Sequence, residues 1–410
     1  MPTPGAGISL DTTTDNPPAR LLDLTRLVRR AGRRMTGVDR VEFAYLDHLL
    51  TDPVPLFGLV RTSLGYALLD AAGCAALHER VRTDGWGAVG WLSRGLARRD
   101  EMRARAESDV RRLARARCLT PGLARMLRRV PAGASYLNTG HSNLTVRLLA
   151  ALKARKARIA VLIHDTIPLD TPQFQRPETL AKFDAFLQRA GRQADLIICN
   201  SAQTQKDVIR HLAGPPPDTL VAHLGVPVPT PGPVPQGAWT NRPYFVALGT
   251  VEPRKNHTLL LDLWDDLTAE QGGEAPRLLI CGARGWENDA VLARLDRGVR
   301  HVHELPGLDD GAVFGLLAGS AGLLFPSLAE GYGLPPIEAA ALGVPVLCHD
   351  LPIYREVLAD IPVYADVNDR YLWKITINEL VQRQTTGRDH KNVFAPPTWT
   401  AHFKTVLTLV

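Results

Sequence analysis

Glu330 and Glu338 stand with seven residues between them in Pro326-Ser327-Leu328-Ala329-Glu330-Gly331-Tyr332-Gly333-Leu334-Pro335-Pro336-Ile337-Glu338-Ala339-Ala340. The apolar run Gly322 to Phe325 reads as a buried strand that feeds a Gly-rich loop. A helix is expected to open at Pro335 or Pro336, since the first helical position has no use for an N–H. Gly331 and Gly333 let the backbone approach a ligand closely. The helix N-terminus offers free N–H groups and partial positive charge to an anion. A carboxylate does not bind phosphate, but it accepts hydrogen bonds from sugar hydroxyls. A phosphate cradle flanked by hydroxyl acceptors is the chemistry that holds a nucleotide sugar. The competing reading is a surface loop capping a buried helix, with two incidental acids.

Further groups fit the same chemistry. Gly249-Thr250-Val251-Glu252-Pro253-Arg254-Lys255-Asn256-His257 follows a strand over Tyr244 to Leu248 and leads into a helix. A cationic loop at the carboxyl end of a strand is where an open α/β sheet takes its ligand. Arg254 offers a fork for two phosphate oxygens and Lys255 a compact charge. His164 and Asp165 close a continuous apolar strand from Arg158, which aims the pair at the same kind of crevice. In Thr36-Gly37-Val38-Asp39-Arg40, Gly37 permits close approach and Arg40 could meet an anionic acceptor. The sequence has no Asp-x-Asp, no metal-spaced His/Cys cluster, no G-x-S-x-G elbow and no Walker loop. No metal and no cofactor are therefore expected, and Arg254 with Lys255 would take a metal's electrostatic part.

These motifs resemble those of retaining glycosyltransferases with the GT-B fold, in particular their large family 4 (group 1). The resemblance runs over roughly residues 20–410 and is stronger in the second half. It implies two Rossmann-like doubly wound parallel-sheet domains facing a cleft. It implies contact of Glu330 with the donor sugar and of Glu338 with the nucleotide ribose, with Gly249, Thr250, Gly331, Tyr332, Gly333 and Leu334 around the donor. It implies that Arg254 and Lys255 neutralise the departing diphosphate, that His164 lies near the sugar's reacting face, and that Asp165 serves an acceptor or phosphate loop. The loop of Gly37 and Arg40 resembles one that touches donor phosphate or acceptor, although many relatives carry two adjacent glycines there. The Glu-Pro-Arg-Lys-Asn wording is similar to that of bacterial surface-polysaccharide mannosyl and rhamnosyl transferases. The expected activity is metal-independent, retaining transfer of a hexose, with mannose from GDP-mannose as the best guess. The expected acceptor is a glycan or a polyprenyl-diphosphate-linked glycan. The alternatives are a catalytically silent GT-B scaffold of a polysaccharide assembly complex and a GT-B nucleotide-sugar epimerase.

The elements that must position these residues follow from length and pattern. A chain of 410 residues points to two domains. Residues 1–19 are Pro/Thr/Gly-rich and read as disordered, without a signal peptide. Alternating strands and helices over 20–226 suggest one Rossmann-like acceptor domain. Five prolines in Pro227 to Gly237 mark an extended linker over 227–240. The alternation restarts over 241–396 as a nucleotide-sugar domain, and 397–410 is expected to cross back to the first domain as a helix. Within the first half, Leu21 to Leu27 and Leu56 to Tyr66 read as strands, residues 96–130 as helical, and Val221 to Leu224 as a strand.

Five widely spaced cysteines without a Cys-x-x-Cys pair suit a reducing cytosol. Gly311 to Ala329 is uncharged over nineteen residues, but its small residues and Pro326 favour a helix, turn and strand over a membrane span. The net charge of +6 is uneven: Arg94 to Arg129 holds twelve Arg against four acids. Met102, Ala106, Val110 and Leu113 fall on one face of that segment. Such a helix could lie on an anionic membrane. A cytoplasmic location, with peripheral attachment to the inner face of the cytoplasmic membrane, follows as the expectation. Nucleic acid is not expected, since no binding motif accompanies the charge.

Overall fold

The computed structural model describes residues 16–175, 177–286, 288–386 and 394–410; segment 1–15, most of the stretch read as disordered, lies outside them. The strands are β1 (Arg20–Asp23), β2 (Leu56–Thr62), β3 (Gly65–Leu69), β4 (Ala116–Cys118), β5 (Ser135–Asn138), β6 (Arg158–Ile163), β7 (Leu196–Cys199), β8 (Asp218–Val221), β9 (Tyr244–Leu248), β10 (Arg277–Cys281), β11 (Val302–Glu304), β12 (Gly322–Phe325), β13 (Val346–Cys348) and β14 (Val363–Tyr364). They form an eight-stranded sheet of order β4-β3-β2-β1-β5-β6-β7-β8 and a six-stranded sheet of order β11-β10-β9-β12-β13-β14. Every registered pair of the second sheet is parallel. In the first, β2–β3 and β3–β4 are antiparallel. Parallel strands joined through helices bury both faces, which explains their continuous apolar runs.

Contacts divide the chain into two compact units. One runs to Leu162 and includes Gln193–Leu196 and Phe403–Val410; the other holds Ile163–Arg192 and Ile197–His402. In the first unit, Leu21, Leu22, Tyr45, Leu46, Leu59, Leu68 and Tyr136 are buried. In the second, Phe245, Leu260, Trp264, Leu278, Ile280, Leu324, Leu347 and Trp373 share one core. Its two tryptophans satisfy their N–H groups with the carbonyls of Pro276 (2.9 Å) and Asp366 (3.0 Å).

Several sequence expectations shift. The first strand stops at Asp23, and Thr25–Arg29 is helical because Asp23 Oδ1 accepts from the Thr25 N–H (3.1 Å) and turns the chain. Leu56 to Tyr66 is the first strand and turn of a hairpin. β8 lies three residues before the expected Val221 to Leu224. Residues 96–130 are not one helical region: the helix Glu101–Leu113 gives way to β4.

The apolar stripe on that helix is a correction. Ala106 and Val110 are fully buried, and Met102 packs at the close approach of Gly32 (φ +72°). The stripe belongs to the core and cannot enter a membrane. Its buried acids also hold the arginines. Glu107 accepts from Arg103 Nε (3.0 Å), Arg111 Nη1 (3.4 Å) and both the N–H and hydroxyl of Ser63 (2.9 and 2.6 Å). Asp109 takes Arg80 Nε and the Gly87 N–H, each at 2.8 Å, and pairs with Arg112.

Cys74, Cys199, Cys281 and Cys348 are buried, while Cys118 is half-buried on β4 at the sheet edge. Burial pushes the Cys74, Cys199 and Cys281 thiols up to about 12. Among the described residues no helix is long and apolar enough to cross a membrane.

Candidate functional site

The second sheet reverses its strand order at β9. The chain builds outward through β10 and β11, then returns to place β12 on the other side of β9. Loops leaving the carboxyl ends of β9 and β12 therefore meet at a topological switch point, where an open α/β sheet binds its ligand. Gly249 to Lys255 leaves β9, and Pro326 to Gly333 leaves β12. The Leu328 N–H donates to the Arg254 carbonyl (2.8 Å), which fixes one loop against the other.

That registration brings Lys255, Arg254 and Glu330 together. Glu330 Oε1 accepts from Lys255 Nζ at 2.6 Å and pairs with Arg254 Nη1 at 2.8 Å. Arg254 is braced independently: Nη1 donates to the Ala329 carbonyl and Nη2 to Glu252 Oε1, each at 2.6 Å. Lys255 Nζ lies 4.2 Å from the centre of the Phe325 ring, a cation–π contact at the end of β12. Gly249 (φ +132°) makes room for the lysine: a Cβ there would stand 3.1 Å from Lys255 Cε. Gly249 thus lines the stem of the cation.

Burial and charge compete throughout the cluster. Burial alone would raise the Glu330 carboxyl, but Lys255 and Arg254 outweigh it and hold it at about 2. Burial lowers Lys255 against the pull of Glu330. Burial also opposes the charge of Arg254, yet Glu330 and Glu252 raise its pKa further. His257, on the next helix, is pushed down to about 4 by burial and by Lys255, so it is neutral at physiological pH.

His164 and Asp165 follow β6 and reach the same loop. A Cβ on Gly331 would meet the His164 carbonyl oxygen and Asp165 Cβ and Oδ2, each at 2.9 Å. Glycine at 331 is required by this contact, not by an unusual φ. Burial pushes Asp165 up to about 6, against the attraction of Arg254. His164 is buried, and its carbonyl accepts from Asn200 Nδ2 (2.7 Å).

The remaining sequence candidates divide. Gly333 (φ +78°) is the left-handed residue before the helix Leu334–Ala341, which starts one residue earlier than Pro335. The Tyr332 hydroxyl donates to the Leu224 carbonyl (3.0 Å), so it anchors the loop. Glu338 is buried on the Leu334–Ala341 helix. Gly37 and Arg40 are in the other unit, in the first turn of the helix Gly37–Leu49. There Asp39 caps Thr36 N–H (2.7 Å) and takes Arg26 Nε and Arg30 Nε, each at 2.6 Å. Gly37 has no positive φ.

Sequence reading missed Glu252, Phe325 and His257. Glu252 stands two residues before Arg254, a spacing that lets a loop carboxylate brace the guanidinium. Phe325 carried no signal beyond being the last apolar residue of its strand. Among the described residues no group of three His, Cys, Asp or Glu could hold a metal ion.

Residues 234–382 match the family model of glycosyl transferases group 1. The matched span holds Arg254, Lys255, Glu330 and Glu338. The chain is 31% identical over 233 residues to the serotype-specific mannosyltransferase WbdA of Escherichia coli, covering 52% of this chain and 28% of that protein. It is 30% identical over 230 residues to the O-antigen chain mannosyltransferase B of Escherichia coli, covering 53% and 60%. The match thus spans from about a quarter to three fifths of these relatives' length. Among solved structures, Anabaena Alr3699/HepE in complex with UDP-glucose superposes with TM-score 0.59 at 15% identity, over 95% of this chain and 94% of that one. The fold is GT-B.

Proposed function

We propose that the protein is a glycosyltransferase that moves a hexose from a nucleotide sugar to a glycan or polyprenyl-diphosphate-linked glycan in surface-polysaccharide synthesis. The observation that carries this reading is the pair Arg254 and Lys255, braced at the carboxyl ends of β9 and β12 and aimed at one oxygen position. An ammonium and a guanidinium converging at a switch point suit a diphosphate leaving group. Stabilising charge that develops on departure is the largest expected contribution to such catalysis.

In this reading Glu330 and the backbone N–H groups of Gly331 to Gly333 orient the sugar. Glu338 holds the ribose, Leu334 opens the helix beneath the phosphates, and His164 supports the anomeric centre. Gly37 and Arg40 belong to the acceptor side. Mannose from GDP-mannose is the proposed donor, in keeping with the two mannosyltransferase relatives. Transfer retains anomeric configuration, the protein acts on the cytoplasmic side, and exposed arginines of the segment from Arg94 to Arg129 attach it to anionic membrane.

The test is incubation with a panel of nucleotide sugars and a glycan acceptor, with products resolved by mass and anomeric NMR. Transfer with an α-linked mannose product from GDP-mannose is expected. Epimerised donor without transfer would replace this reading with the epimerase, and binding without chemistry would replace it with the scaffold. Activity is expected to survive EDTA, because two braced cations stand where a divalent ion would otherwise act. Loss with EDTA and recovery with Mg²⁺ or Mn²⁺ would remove metal independence.

A further inference from the structure

The phosphate-binding pair is already occupied by a carboxylate of the protein itself. Lys255 Nζ and Arg254 Nη1 both reach Glu330 Oε1, at 2.6 and 2.8 Å. That oxygen has the charge, and the two cationic donors, that a diphosphate oxygen would need. Three carboxylates (Asp165, Glu252 and Glu330) stand around only two cations here, so the cluster is not a standing positive hole. An arriving diphosphate meets a site whose positive charge is already fully offset. Two anionic oxygens cannot share one seat between the same donors.

We propose that Glu330 is the resident counter-ion of this pair and changes places with the diphosphate when the donor binds. In the free protein it is the carboxylate that two buried cations share, and among the described residues the only one bonded to Lys255, whereas Arg254 has Glu252 as well; a buried ammonium without a carboxylate is costly at low dielectric. With donor bound, the diphosphate oxygen takes the position between Lys255 and Arg254, and Glu330 turns to accept from sugar hydroxyls. The exchange does not require the cations to move. Arg254 keeps Glu252 on Nη2 and the Ala329 carbonyl on Nη1 (2.6 Å each), and Lys255 keeps its place over Phe325. When the sugar has left, Glu330 returns and competes with the bound nucleoside diphosphate, which favours product release. Glu330 thereby acts on both binding and turnover, in opposite directions.

This rests on the donor site proposed above. The test is isothermal titration of the full chain with GDP, UDP and inorganic pyrophosphate, for the wild type, Glu330→Gln and Glu330→Ala, alongside transfer assays. The seat exchange expects both variants to bind the diphosphate probes about tenfold more tightly than the wild type, since a competing like charge is gone, while transfer falls. Glu330→Ala guards against an amide carbonyl that still holds the cations, and thermal melting checks that each variant is folded. Equal or weaker binding by both variants overturns the exchange while leaving the donor site standing. No binding of any probe to any form, together with no transfer, overturns the donor site itself.

Discussion

Two regions of this molecule place arginine against buried carboxylate, and they do so to different ends. On the Glu101–Leu113 helix, Glu107 and Asp109 spend their oxygens on arginines of their own helix, on Arg80 of the helix Ala71–Thr83, and on the N–H groups of Ser63 and Gly87. Each acid there ties secondary-structure elements together and is fixed from several sides. At the switch point the relation is inverted: one oxygen of Glu330 serves two cations, and those cations have other supports. The first arrangement cannot lose its acid without losing its geometry. The second can. The lesson is that a surplus of arginine in a sequence does not measure available charge; what matters is which partner can leave.

The comparison breaks most directly at Lys255. Lys255→Ala removes the ammonium that would meet the departing diphosphate, and transfer should fall by about a hundredfold. Arg254 remains to neutralise Glu330, so melting temperature should change little. Transfer near the wild-type rate would dissolve the distinction between the two regions. The converse substitution is Glu107→Ala, which strands two arginines and the Ser63 N–H. Stability should drop by about 3 kcal/mol, read by chemical denaturation, with nucleoside diphosphate affinity unchanged.

A subtler test uses pH. Asp165 is raised to about 6, so the folded chain holds its proton where the unfolded chain has released it. Its contribution to stability therefore grows as pH falls from about 6 toward 3.8. Glu330, held at about 2, has the opposite sign: its contribution is present above the unfolded carboxyl value of 4.5 and is lost as pH falls toward 2. Neutralising Asp165 also removes a negative charge acting on Arg254. Diphosphate affinity should then rise severalfold as pH falls through 6, beyond the phosphate's own titration. Asp165→Asn should abolish that extra component; an identical pH profile in the variant would show that Asp165 does not act on the pair.

The smallest effect concerns the membrane. Since Ala106 and Val110 are buried, the proposed attachment rests on exposed groups: Arg98, Arg99 and Trp91, the last 75% exposed. Binding to anionic vesicles should weaken with salt, as expected for charges screened within a Debye length of about 8 Å. Arg98→Glu with Arg99→Glu should weaken it further. Co-sedimentation that is equal on neutral and anionic vesicles would return these side chains to plain solvation.

The parts legible in the sequence were those governed by local pattern. Continuous apolar runs marked β6, β9 and β12. The loop motifs at 249–257 and 326–340 were legible because glycine, proline and charge occur together in order. Tertiary pairing was not. The stripe Met102/Ala106/Val110/Leu113 has the same period whether it faces lipid or a core, and only neighbours such as Gly32 decide. The role of Glu252 depended on a two-residue reach that pattern does not encode. The family resemblance put Tyr332 around the donor; the bond from its hydroxyl to a carbonyl more than a hundred residues earlier is a tertiary contact that the local pattern does not encode.

Cys118 gives the molecule a natural handle. Four thiols are sealed in the interior, whereas this one lies on a three-residue edge strand, beside exposed Arg117 and Leu119 and close against the turn at Gly65. A maleimide dye should therefore react first at this position in the native protein, without any engineered cysteine. Its emission would report on the arginine-rich surface from within, brightening or shifting when that surface meets lipid, while the sealed four remain silent until the chain unfolds.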